Sequence, residues 1–221
     1  IVLGYTCPDA PQHLQPGGLS YVANAGYILV DQWREAGSLT DGPNLTAFDW
    51  RNDMDYQRFD RFSMADQTVS RDAAVFLDLQ EVDLPLRLSD FYDGESSTVL
   101  FSENLDAGRW ADTDLLSIGF GVPVAVIDRV PVQIGTGDPT QSLQFTERFE
   151  VGQGRINRSD TRESRLPRPS SSHPGGVIVT FGDGRQMFVS ETIDGRVYAQ
   201  ILTPSGTRFG QEVITSAQIG G

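Results

Sequence analysis

The stretch Gly176–Ser190 constrains the fold more than any other part of this chain. Apolar runs flank Asp183-Gly184, and Asp-Gly is a preferred pair for a type I′ turn, whose two central residues both take positive φ. A two-residue turn pairs Gly182 with Arg185, Phe181 with Gln186 and Val179 with Phe188. Val177, Val179, Phe181 and Phe188 then share one face, and Ile178, Met187 and Val189 share the other. Both faces are mostly apolar, which predicts a hairpin inside a sheet that is covered on both sides. Beyond it, Asp194 is placed to cap a short helix. Val197, Tyr198, Ile201 and Leu202 fall on one face of that helix, and Pro204 stops it.

Further strands are expected at 1–7, Leu19–Leu29 with an interruption at Gly26, Ala73–Leu79, Thr98–Ser102 and Val122–Ile127. Runs of strands with few short helices indicate an α+β fold, mainly antiparallel β. The 221 residues suit one domain, 1–221, with long loop insertions at about 31–83 and 111–170. The first insertion is Asp-dense, from Asp31 to Asp72, and interleaved with Trp33, Phe48, Trp50, Tyr56, Phe59 and Phe62. The second ends in Arg155, Arg158, Arg162, Arg165 and Arg168, which Pro167 and Pro169 keep out of a helix. This Arg cluster reads first as a surface loop, with contact to an acidic partner or to the chain's own acidic surface as the lesser alternative.

Charge narrows the function classes. The chain has 30 acidic and 17 basic residues, for a net charge of −13, and every basic residue is Arg. Such acidity argues against nucleic acid as a partner, because phosphate binding needs clustered positive charge. It argues equally against adhesion to an anionic membrane. No apolar run is long enough to span a bilayer.

Catalytic chemistry is poorly supplied. His13 and His173 are the two histidines, and there is no Gly-x-Ser-x-Gly elbow, P-loop or dinucleotide fingerprint. A transition-metal site built from several His and Cys ligands is not available by count. Cys7 is the single cysteine. It reads either as a buried apolar thiol or as the partner of a cysteine outside this chain. His13, near it in sequence, lies in a Pro- and Gly-flanked loop and makes no convincing catalytic partner. His173 and Asp183 stand at opposite ends of one strand, roughly 25–30 Å apart if fully extended, so they do not form a direct pair. A structural task for each follows: His173 docks the loop entry, and Asp183-Gly184 makes the turn. The sequons at Asn44 and Asn157 carry little weight alone.

The chemistry that the acids do permit is a hard-cation site, since calcium takes carboxylate and loop carbonyl oxygens. Asp90, Asp93 and Glu95 in Ser89–Ser96 are the best local ligand set, followed by Asp49–Asp60. The plainer alternative is a solvated acidic loop with an Asx turn at Asp93-Gly94.

Three blocks together resemble a family. Ser172-His173-Pro174-Gly175-Gly176-Val177 leads, nine residues after His173, to Asp183-Gly184, and then to Val189-Ser190-Glu191-Thr192-Ile193-Asp194. Tyr5-Thr6-Cys7-Pro8-Asp9 precedes Leu19-Ser20-Tyr21-Val22-Ala23-Asn24-Ala25-Gly26, and Leu88–Thr98 precedes Ser102-Glu103-Asn104. These resemble the planctomycete-type, pilin-like family of unknown function with a His-x9-Asp-Gly motif. Glu95, Ser97 and Gly195 depart from its pattern. Residues 30–83 and 111–170 show no match to it.

The resemblance implies a class rather than a reaction. It implies a type IV pilin-like or pseudopilin-like globular sheet, non-enzymatic, with no catalytic residues. Such a subunit is exported, and forms a homo-oligomer or filament through an apolar N-terminal helix. That helix is not in this chain, whose start at Ile1 reads as the interior of a strand. The implied location is extracellular or at the cell surface, with the periplasm as the alternative. The resemblance also implies that Cys7 pairs with a cysteine at the end of that helix. A second reading is an extracellular calcium-binding module for ligand binding or adhesion.

Overall fold

The computed structural model describes residues 6, 7, 9, 16–29, 71–76, 86–112, 115–124, 156, 157, 168–209 and 214–219. Most of the expected first strand, most of both insertions, the Asn44 sequon, Asp49–Asp60 and four of the five clustered arginines lie outside these residues.

Among the described residues, five strands form one sheet. They are β1 (Tyr21–Leu29), β2 (Val99–Glu103), β3 (Gly119–Val124), β4 (Gly176–Phe181) and β5 (Gln186–Ser190), in the order β3-β1-β2-β4-β5. Neighbours β1/β2, β2/β4 and β4/β5 are antiparallel, whereas β1 and β3 run parallel. Short helices α1 (Leu115–Ile118), α2 (Gly195–Gln200) and α3 (Ser216–Ile219) complete the fold. The architecture is therefore α+β, with a mostly antiparallel sheet, as the patterning implies.

The core lies between one face of the sheet and the α2 segment. Val22, Val99, Phe120, Val177, Val179, Phe181 and Val189 meet Tyr198, Ala199, Ile201 and Leu202, all buried. The helix starts where Asp194 predicts, its carboxylate accepting the Val197 N–H at 3.3 Å. Asn24 joins the two layers. Its amide donates to the carbonyls of Val99 and Leu202, both at 2.7 Å, and its Oδ1 accepts the Gly26 N–H at 2.8 Å. These bonds satisfy a fully buried polar side chain. They sit where β1 shifts register against β3, between Asn24 and Gly26. Gly26 has φ +68° there, so the interruption expected at this residue is a bulge within a continuing strand.

The hairpin departs from expectation by one residue. Phe181 donates its N–H to Arg185 O at 2.9 Å, and Gly184 donates to Phe181 O at 2.9 Å. The loop is thus Gly182-Asp183-Gly184. Gly184 has φ +82°, while Asp183 is not among the residues with positive φ. This is a type I turn closed by a glycine bulge, rather than a type I′ turn. Val179 consequently pairs with Met187, and Ile178 with Phe188. Because side chains alternate, the one-residue shift carries Phe188 to the opposite face. Val177, Val179, Phe181 and Val189 are buried, whereas Phe188 is 44% exposed. The hairpin is covered on one face, not on both.

A second correction concerns Ala73–Leu79. Arg71–Ala73 close a helical turn, and residues 74–76 follow without strand pairing. Ala73, Ala74 and Val75 are buried, so this part of the run is spent on packing rather than on a ladder, and residues 77–79 of the expected strand lie outside the described residues.

Candidate functional site

His173 stands in the loop just before β4. Ser171 Oγ accepts the His173 N–H at 3.0 Å and donates to Gly176 O at 2.7 Å. Asn157, in the left-handed region at φ 58°, holds the same loop from the other side. Its Nδ2 donates to Gly176 O at 3.0 Å and to His173 O at 3.4 Å, and its Oδ1 accepts the Ser171 N–H at 2.7 Å. The sequon asparagine is therefore a clamp on the His173 loop.

The imidazole faces two residues from elsewhere in the sequence. Glu103, the last residue of β2, places Oε1 at 3.2 Å from His173 Nε2. Cys7 Sγ lies 3.8 Å from the same nitrogen. Asp9 approaches the other ring nitrogen, with Oδ2 3.9 Å from Nδ1. Glu103 is only 2% exposed, and its Oε2 accepts the Ile178 N–H at 2.8 Å. Cys7 is buried and carries a free thiol; its N–H donates to Ser20 Oγ at 2.8 Å. Burial pushes the Cys7 thiol pKa up, and the nearby Glu103 and Asp9 carboxylates push the same way, against a hydrogen bond from the Asp9 backbone. A thiol kept neutral is a poor nucleophile. Moreover, sulfur and carboxylate converge on one ring nitrogen. A Cys-His-Glu relay needs them on opposite nitrogens, so that the base is oriented from behind.

Residues 2–196 match the model of a family described as a protein of unknown function, DUF1559. The chain belongs to this family. The matched segment contains all five strands and the Cys7, Glu103 and His173 cluster. Neither a curated protein nor a solved structure matches the chain.

The other residues singled out from sequence lie elsewhere. Asp183 and Gly184 occupy the far end of β4 from His173, and Asp183 Oδ1 accepts the Arg185 N–H at 2.9 Å. Their task in this family member is the turn.

Asp90, Asp93 and Glu95 are neighbours around two 3-10 turns, Leu88–Asp90 and Glu95–Ser97. Two of these carboxylates face protein donors. Asp93 accepts the Gly206 N–H at 2.6 Å, the Thr207 N–H at 3.2 Å and the Thr207 hydroxyl. Asp90 accepts the Arg87 N–H at 3.0 Å and pairs with Arg71 at 2.6 Å. The Arg87 bond, and then Arg71, hold the Asp90 carboxyl below the usual carboxylate range. Glu95 is exposed.

Sequence reading missed Glu103 and Asn157 as partners of His173, and of the two histidines weighed only His13 against Cys7. Glu103 carried one usable signal, a charged residue directly after the strand expected at Thr98–Ser102. Its partners arrive only when the β2 end, the loop before β4 and the Cys7 segment come together.

Proposed function

We propose that this chain is the globular part of a non-enzymatic structural subunit, pilin-like or pseudopilin-like, exported and assembled as a homo-oligomer or filament at the cell surface or in a secretion-related assembly. The observation that carries this reading is how the motif residues are spent. His173 ties the loop before β4 to Glu103, Asp183-Gly184 closes the hairpin, and Asn24 with Gly26 shapes β1 over the core. All three tasks are architectural. The sheet would then serve as a rigid platform that presents the acidic first insertion and the Arg-rich second one outward, for contacts between subunits. No helix among the described residues is long and apolar enough to cross a membrane, so in this reading membrane insertion and assembly depend on a segment outside them.

Immunogold electron microscopy of native cells, with antibody against this chain, tests the proposal. Label along filaments or on a surface lattice is the expected result. A strictly monomeric, periplasmic protein would overturn it. If acidic and Arg-rich surfaces meet between subunits, raising salt should loosen the assembly, because exposed charge pairs are screened.

A further inference from the structure

Cys7, Glu103 and His173 bring a sulfur, an oxygen and a nitrogen within 4.8 Å of one another. The measured separations are 3.8 Å from Sγ to Nε2 and 3.2 Å from Nε2 to Oε1. A tetrahedral zinc centre, with bonds of about 2.0–2.3 Å, spaces its ligand atoms by about 3.3–3.7 Å. Both separations from His173 Nε2 are already close to that spacing, and the sulfur lies within 4.8 Å of the carboxylate oxygen.

We propose that Cys7 Sγ, Glu103 and His173 Nε2 form a three-ligand site for a divalent transition metal of the zinc class, which clips the Cys7 segment to the end of β2 and the loop before β4. This goes beyond the structural role proposed above and does not depend on it. Convergence of sulfur and carboxylate on a single ring nitrogen is what ligands around one ion require. Metal binding releases the thiol proton, and the resulting thiolate and the carboxylate together carry two negative charges, which balance a divalent ion. The sulfur selects a borderline-soft metal over calcium or magnesium. The surroundings also fit. The Ile178 N–H on Glu103 Oε2 orients the carboxylate, leaving Oε1 toward His173. Asp9 faces His173 Nδ1, the side from which an outer carboxylate steadies a metal-bound imidazole. Three protein ligands leave a fourth position for water.

The decisive experiment titrates cobalt(II) alone into the reduced, chelator-stripped 221-residue chain. The expected result is a thiolate-to-cobalt charge-transfer band in the near ultraviolet, with tetrahedral d–d bands in the visible, saturating at a single equivalent and abolished by zinc. Zinc at a hundredfold excess over its Kd should raise Tm by roughly 5–10 °C. Cys7→Ser should remove the charge-transfer band, and His173→Gln should weaken binding about tenfold or more. Absence of the band in the unmodified chain at millimolar cobalt would overturn the proposal, whatever the variants do. So would a band that survives in Cys7→Ser, or a Cys7 thiol that reacts with Ellman's reagent equally fast with and without zinc.

Discussion

Gly26 lies so close to Ala74 that a Cβ on Gly26 would come within 2.6 Å of Ala74 Cα and 2.8 Å of its Cβ, besides meeting the Ala73 carbonyl. This contact locks the β1 bulge against Ala73-Ala74, within the later part of the first insertion. Gly184 shares the left-handed backbone, at φ +82°, but a Cβ there meets nothing within 4 Å. Gly184→Ala should therefore cost only the conformational penalty, about 1–2 kcal/mol. Gly26→Ala adds a backbone clash to the same penalty and should cost roughly 2–5 kcal/mol. Urea unfolding of the two variants checks the order; equal losses would mean that the approach of Ala74 is not a constraint.

The hairpin register makes opposite predictions for two phenylalanines. Phe181 is fully buried in the core, and Phe188 lies on the open face. Phe181→Ala should cost about 3–5 kcal/mol, as a core truncation does. Phe188→Ala should cost about 1 kcal/mol or less. In the two-residue-turn register both side chains would share a face and their losses would be comparable. Thermal denaturation of the pair distinguishes the two.

Asp93 ties its own turn to the 3-10 turn Gly206–Phe209 through three donors on Gly206 and Thr207. Truncating it to Ala leaves two backbone N–H groups without their charged acceptor. Bonds to charged groups set the scale, so Asp93→Ala should cost about 2–3 kcal/mol, and Asp93→Asn less. If clamping is the carboxylate's task, the loss in Tm will be the same in millimolar calcium as in EDTA. A loss that appears only with calcium would instead mark Asp93 as a calcium ligand.

Asp72 supplies a pH dependence. It is 4% exposed, and burial raises its carboxyl pKa despite the opposing pull of Arg208, whose Nη1 lies 3.0 Å from Oδ2. A raised folded pKa means that the folded chain takes up this proton before the unfolded chain does. The Asp72 contribution therefore improves as pH falls through the folded pKa toward the unfolded value, and it worsens as pH rises. Asp72→Asn removes the titration. The stability of the unmodified chain minus that of Asp72→Asn should increase between pH 7 and pH 4, measured by urea unfolding. A difference that is flat or falling would contradict the assignment.

Local chemistry made much of this visible in advance. The α+β class, the strands around Tyr21–Leu29 and Val99–Glu103, the helix behind Asp194 and the turn at Asp183-Gly184 all follow from alternation, capping and glycine preferences, which act over a few residues. The hairpin shows where such reasoning ends. Asp-Gly serves a type I′ turn as well as a type I turn with a glycine bulge, and the choice moves every later side chain to the other face. One covered face selects between them, and that face is built by Ile201 and Leu202, which lie outside the hairpin. Ala73–Val75 is similar: an apolar run states that it will be buried, not whether it pairs in a sheet.

Composition limits which residues can act: a net acidic, lysine-free chain with two histidines and one cysteine, too few for a site made of those residues alone. Folding alone brings one of each to a buried Glu103. Cys7 reaches it through Ser20, and His173 through a loop that Ser171 and Asn157 hold. The physical reason is separation along the chain. Capping and turns are settled by neighbours, whereas the Cys7–Glu103–His173 cluster depends on a sheet order that sets β4 against β2 and on loops fixed at their ends.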